Sequence, residues 1–252
     1  MGPILFCMLM DSLQTIDTNS KMVIYADDVT ILHHVAPTSS DNSQMEVDHV
    51  CRWANTHRMF INENKCAILN VHRSVNALDI PDIIIGGIHL KPVDSMKILG
   101  FHFDHRLDLR LHVNYIVKKC SFGMSLVHKL KKLGSPSTVI ESAFYAFVFS
   151  QMSYAWPAIV DMPQYLVNRY QKFFDRVSKF SNIKRDDLKK KLEKICLKLC
   201  KKIKKTVDHP LIECFQRNPS IRSNLRTIHN YIPLKSNTNL LRNSFTKYAY
   251  NC

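Results

Sequence analysis

The chain has 252 residues, 46% of them hydrophobic, which is enough apolar material to bury a core and a length that allows one or two domains. Its formal charge of +14 and isoelectric point near 9.5 point to a polyanion as partner, either nucleic acid or an acidic membrane surface. The eight cysteines show neither a CxxC pair nor a regular framework, and the apolar stretch at Met1 is short and lacks basic flanks. That pattern excludes a disulfide-built secreted scaffold and predicts a reducing, intracellular compartment.

The first strong signal is Tyr25-Ala26-Asp27-Asp28, set between Val23-Ile24 and Val29, Ile31 and Leu32. Two short β-branched runs around an Asp-Asp pair predict a β-hairpin with both carboxylates at its tip. Paired carboxylates are hard oxygen donors suited to Mg²⁺ or Mn²⁺, and nucleotide-joining enzymes need metal there to activate a hydroxyl and neutralise phosphate charge. An acidic turn without metal has the same local sequence.

Ser43 with Glu46 predicts a capping box ahead of a helix whose inner face is Val47, Val50, Cys51 and Ala54, ending near Met59. Lys65 is expected to open a strand through Ala67, Leu69 and Val71. Ile83-Ile84-Ile85, Gly86-Gly87 and Ile88-His89-Leu90 predict a two-residue hairpin, and a further strand is expected from Met96 to Phe103. His102 and Asp104 share one strand face with no third ligand at obvious spacing, and with the neighbouring His105 they read as surface polar residues at a strand end.

After Asp104 the pattern turns helical. A basic amphipathic stretch carrying Lys118 and Lys119 runs to Leu133, Gly134-Ser135-Pro136 breaks it, and a second helix begins near Ser137. Ser142 to Val160 is free of charge and close to the ~20 residues that span a bilayer, but Ser150, Gln151, Ser153 and Pro157 interrupt it. Ala143, Phe144, Phe147 and Val148 mark it instead as a buried helix with one apolar face, and no membrane span is expected. A third helix over Tyr165–Phe180 places Tyr170, Phe173, Phe174 and Val177 inward and Arg169, Lys172, Arg176 and Lys179 outward.

Lys184 to Lys205 predicts a basic amphipathic helix with Leu188, Leu192, Ile195 and Leu199 on one face. Its cations suit phosphates, anionic lipid or a nuclear-localisation patch equally, and pairing with another helix is open. Cys196, Cys200, His209 and Cys214 are poorly spaced for a zinc knuckle, so buried helix thiols and no zinc are expected. From Pro219 onward the chain is polar and weakly periodic, which predicts partial disorder.

The order of these features resembles the reverse transcriptase (RNA-directed DNA polymerase) of non-LTR, LINE-like retrotransposons. Gly2-Pro3-Ile4-Leu5-Phe6 with Leu9, Asp11 and Leu13 looks like the end of that family's template- and nucleotide-binding helix, and Tyr25 to Asp28 falls where the family carries Tyr-Ala-Asp-Asp. Trp53-Ala54-Asn55, Asn62 and Lys65 look like its next block. Leu99-Gly100, Asp104, Leu107 and His112 resemble its primer-grip strand and turn. Tyr145, Ser150 to Trp156 and Gln171 fit its thumb, and Arg242-Asn243-Ser244-Phe245 with Tyr248-Ala249 resembles a closing block.

The resemblance implies an α+β fold: a partial polymerase palm over residues 1–105, an antiparallel sheet with the Tyr25–Asp28 hairpin, then a helical thumb over 106–181, and a basic helix with a tail over 182–252. It implies Mg²⁺ or Mn²⁺ on Asp27 and Asp28, dNTP substrates beside Tyr25 and Ala26, and Lys65 as general acid to the leaving pyrophosphate. RNA template and DNA primer would contact Leu99, Gly100, Lys118, Lys119, Arg169, Lys172 and Arg176, and the location would be nuclear. In the family the fingers and a first palm block bearing another metal-binding Asp precede the segment that Gly2 matches. A truncated copy, with little or no polymerase activity by itself, is therefore expected, and a non-catalytic nucleic-acid-binding remnant is the alternative.

Overall fold

The computed structural model describes residues 1–35, 41–72, 82–180, 184–207 and 209–212. These fall into two units, Met1–Met96 with Asp104–Arg106, and Lys97–Phe103 with the chain from Leu107 onward.

In the first unit, α1 (Gly2–Asp11) carries Pro3 in its opening turn, where a missing N–H costs nothing. Met10 and the following Leu13 are buried, while Ile4, Leu5 and Met8 stay exposed. β1 (Ser20–Tyr25) and β2 (Asp28–His33) pair antiparallel in a register that sets Ser20 against His33 and Tyr25 against Asp28. Directly opposed residues share a face. Met22, Ile24, Val29 and Ile31 therefore form the half-buried side, and Val23, Tyr25 and Leu32 the exposed one.

α2 (Ser43–Thr56) buries Ala54 and half-buries Val47, Val50 and Cys51, the face expected from its periodicity. The expected capping box does not form. Asn42 is the N-cap, Ser43 lies inside the first turn, and the Glu46 carboxylate is engaged elsewhere. Lys65 does not open a strand either. It closes a short 3₁₀ turn, Glu63–Lys65, and the residues after it make a single bridge between Ile68 and Pro92. Their alternation lacks a longer partner strand among the described residues.

β3 (Ile83–Ile85) and β4 (Ile88–Leu90) form the expected hairpin, with φ of 56° at Gly86 and 81° at Gly87, values that only the absence of a side chain makes inexpensive. The single strand expected from Met96 to Phe103 is instead a pair, β5 (Ser95–Ile98) and β6 (Phe101–Asp104). Positive φ at Leu99 (47°) and Gly100 (84°) folds the chain back between them. The described strands make three two-stranded sheets rather than one.

The second unit is helical apart from Lys97–Phe103. α3 (Arg110–Lys132) ends with Lys129, Lys131 and Lys132 in its last turn, where cations complement the helix dipole. The break at Gly134 (φ 71°) leads to α4 (Ser137–Phe144), whose N-cap is Pro136. A π-helical turn, Tyr145–Phe149, then connects to α5 (Ser150–Ser153), and α6 (Trp156–Ile159) follows. The π turn corrects the expected apolar face: Phe144, Val148 and Met152 are fully buried, whereas Phe147 is half exposed. One extra residue per turn rotates Phe147 out of the stripe that regular α spacing assigns it.

Gly123 of α3 explains how the π turn comes so close, since a Cβ there would lie 2.6 Å from the Phe147 carbonyl oxygen. α7 (Gln164–Phe180) buries Tyr170, Phe173, Phe174 and Val177 and exposes Arg169, Lys172 and Arg176, as its periodicity predicts. α8 (Arg185–Lys205) starts with Asp186 and Asp187 and ends in lysines. Its apolar stripe is Leu188, Leu192, Cys196, Cys200 and Ile203, with Ile195 and Leu199 at its margin, and Trp156 and Val160 pack against the C-terminal part. The Lys191 ammonium sits 3.9 Å above the centre of the Tyr145 ring.

The described fold is thus α+β, helices with small two-stranded sheets. No described helix is long and apolar enough to cross a membrane. Cys214, the stretch from Pro219 and the block at Arg242–Ala249 lie outside the described residues.

Candidate functional site

The hairpin β1–β2 closes through only Ala26 and Asp27. A two-residue loop needs positive φ to follow the right-handed strand twist, and here Ala26 supplies it at 52°. A left-handed alanine costs about 1–2 kcal/mol, since its Cβ crowds the backbone. The turn puts Asp27 at the apex and Asp28 on the first rung beside Tyr25, and all four residues from Tyr25 to Asp28 are exposed. The structure thus brings together the four residues expected to meet metal and nucleotide.

Two adjacent carboxylates are a suitable donor set for Mg²⁺, which commonly takes one or two protein carboxylates and fills its other positions with water and substrate phosphate. Among the described residues, no group of three or more His, Cys, Asp or Glu side chains could hold a metal ion. The tip offers two protein donors and leaves the remainder open.

The base of the hairpin is held by polar contacts that spacing alone did not reveal. Ser20 Oγ shares a 2.8 Å hydrogen bond with His33 Nδ1, and His33 Nε2 lies 3.5 Å from Asp41 Oδ1. Glu46, fully buried on α2, accepts the backbone N–H groups of Ile16 at 2.9 Å and Asp17 at 2.5 Å through one oxygen. The Asp17 carboxyl is held below its ordinary range, chiefly because the Asn19 N–H donates to it, with the Asn42 amide and His33 adding to the effect. Glu46 was legible only as a helix-start residue, and its actual partners lie about thirty positions away.

Lys65 is exposed on its 3₁₀ turn. Leu99 and Gly100 form the β5–β6 turn, where the Tyr154 phenol donates a hydrogen bond to the Leu99 carbonyl and the Tyr154 ring would meet any Cβ at Gly100 at 3.3 Å. Packing against Tyr154 is a sufficient reason for glycine there. Lys118 and Lys119 are exposed on α3. Arg169, Lys172 and Arg176 follow one another at three- and four-residue steps along α7, with Arg176 5.6 Å from the Phe173 ring centre.

A shallow groove of about 390 Å³ lies between α3 and α7, lined by Arg110, Tyr165, Leu166 and Arg169. The Arg110 guanidinium donates to Asp108 at 2.8 Å and lies 5.7 Å from the Tyr165 ring centre, while the Tyr165 hydroxyl donates to Asp108 at 2.9 Å. Asp108, Arg110 and Tyr165 are additions that the helical pattern did not single out.

Residues 1–103 match the family model described as reverse transcriptase (RNA-dependent DNA polymerase). The matched segment contains the whole β1–β2 hairpin, Lys65 and the Leu99–Gly100 turn. Searches of curated proteins and of solved structures gave no match.

Proposed function

We propose that residues 1–103 form the catalytic-hairpin part of an RNA-directed DNA polymerase of the non-LTR retrotransposon type, with Asp27 and Asp28 as its metal-binding carboxylates. The observation that supports this best is positional. The segment similar to reverse transcriptases contains a two-residue turn that displays two carboxylates, free of any described partner that would bury them.

In this reading the substrates are a dNTP, a DNA primer and an RNA template. Mg²⁺, when bound, would favour ionisation of the primer 3′-hydroxyl and neutralise charge on the nucleotide phosphates. Asp27 and Asp28 hold that charge at the tip. Tyr25, exposed on the same face as Asp28, offers an aromatic surface to a nucleotide sugar or base. The primer oxygen bonds to the α-phosphorus, the bond to pyrophosphate breaks, and Lys65 delivers a proton to that leaving group. The Leu99–Gly100 turn, with Lys118 and Lys119 of α3 and Arg169, Lys172 and Arg176 of α7, holds the duplex through its phosphates.

A second reading, nucleic-acid binding without catalysis, draws on the donor count. Two carboxylates are fewer than a two-metal clamp uses, and the described residues contain no third ligand grouped with them. On this count the chain by itself has little or no polymerase activity.

Primer extension on a primed RNA template with Mg²⁺ or Mn²⁺ tests both. Incorporation by the chain that Asp27→Ala abolishes establishes the polymerase reading and overturns the expected inactivity. Template–primer binding without incorporation supports the second reading. Failure to bind template–primer at low salt overturns both.

A further inference from the structure

We propose that Lys97, His102, Tyr115 and Lys119 form a binding site for one phosphate group of a nucleic-acid backbone. The site deepens the reading above and rests on its nucleic-acid partner.

Second-unit residues from three elements converge there. Lys97 comes from β5, His102 from β6, and Tyr115 and Lys119 from one face of α3, four residues apart. Lys97 Nζ lies 3.4 Å from the Tyr115 hydroxyl and 5.3 Å from its ring centre, and Lys119 Nζ lies 4.9 Å from the same centre. The His102 ring stands 4.4 Å from the Tyr115 ring. Two ammonium groups are therefore drawn to one neutral phenol.

Neither lysine has a carboxylate within ion-pair distance among the described residues. Like charges gathered without a counter-charge leave a positive potential that an anion can satisfy. The titrating neighbours respond to that potential. The Tyr115 phenol is lowered, chiefly by its hydrogen bond to Lys119, and His102 is lowered by burial and then by Lys97 and Lys119. The buried His102 Nε2 has no hydrogen-bond partner. A phosphate would accept from both ammonium groups and from the Tyr115 hydroxyl.

The groove at Arg110 and Tyr165 offers a contrast, because Asp108 already neutralises its guanidinium. A nucleic-acid phosphate is favoured over a lipid headgroup because Lys97 and His102 lie within the segment similar to reverse transcriptases and flank the Leu99–Gly100 turn.

The test is fluorescence anisotropy of the full chain on a labelled DNA-primer/RNA-template duplex across a salt series. Lys97→Gln with Lys119→Gln should lower the magnitude of the log–log salt slope by about 1–2 and weaken binding roughly tenfold near 0.1 M salt. Both side chains are exposed, so folding should persist. The charge-matched pair Lys129→Gln with Lys132→Gln, on the same helix, should change the slope by less than half as much. Duplex binding should also raise the His102 pKa, read by NMR, because a phosphate stabilises the imidazolium.

If the wild-type chain binds duplex and the Lys97/Lys119 variant matches wild type or the control pair, this site is overturned and the broader nucleic-acid reading stands. If wild type binds anionic phosphatidylserine vesicles but no duplex, both are overturned.

Discussion

Glu46→Ala should loosen the base of the hairpin that carries Asp27 and Asp28. Glu46 is fully buried, and a single oxygen accepts two backbone N–H groups, from Ile16 at 2.9 Å and from Asp17 at 2.5 Å. Hydrogen bonds to a charged acceptor contribute about 1.5–3 kcal/mol each, so two of them amount to roughly 3–6 kcal/mol. Part of that is offset by the desolvation of the carboxylate, whose other oxygen has no partner. A net loss of about 3 kcal/mol is therefore expected. It should concentrate on the entry to β1, where the Ser20 N–H bonds the Asp17 carbonyl at 3.0 Å and the Asn19 N–H bonds the Asp17 carboxylate. Amide hydrogen exchange resolves this locally: Ile16, Asp17 and the β1 amides should exchange about a hundredfold faster. Glu46→Gln keeps one acceptor oxygen and should lose about 1–2 kcal/mol. Unchanged exchange at Ile16 and Asp17 in Glu46→Ala would refute the claim that this carboxylate anchors the hairpin.

Gly123→Ala should destabilise the second unit by about 2–3 kcal/mol in urea unfolding, because the new methyl would press on a backbone oxygen that cannot swing aside. Ala26→Val should disfavour the hairpin by about 1 kcal/mol or more, and Ala26→Gly should be neutral or mildly stabilising, read from exchange at Ile24 and Val29. His112 is buried, stacked 3.8 Å from Phe101 between ring centres, and pushed down to about 4, chiefly by burial and then by His102. Its unfolded-state value is about 6.5, so the unfolded chain takes up the proton first as pH falls. Its contribution is present above pH 6.5 and is lost progressively between pH 6.5 and 4, by up to about 3 kcal/mol. His112→Phe should flatten that part of the stability–pH curve.

The elements legible in the sequence are those whose causes are local. The β1–β2 and β3–β4 turns follow from two residues each, and the inner faces of α2, α7 and α8 follow from 3.6-residue spacing. The errors arise where a distant partner decides. Ser43 and Glu46 have the spacing of a capping box, but capping would have left the Ile16 and Asp17 N–H groups without their acceptor, and the longer-range bond prevails. Phe147 has the phase of a buried helical residue, but α3 approaches through Gly123 and the helix answers with a π turn. Lys65 precedes a strand-like alternation that finds only the Ile68–Pro92 bridge among the described residues, and Lys65 itself lies in a 3₁₀ turn. The candidate site divides along the same line. Asp27 and Asp28 are adjacent, so their chemistry could be read from four letters, whereas the cluster at Tyr115 gathers positions 97, 102, 115 and 119 from two strands and a helix. Its cations were visible only as separate charges. What singles them out for the proposed site is that no described carboxylate pairs with either lysine, a property of the folded surface that no local pattern encodes.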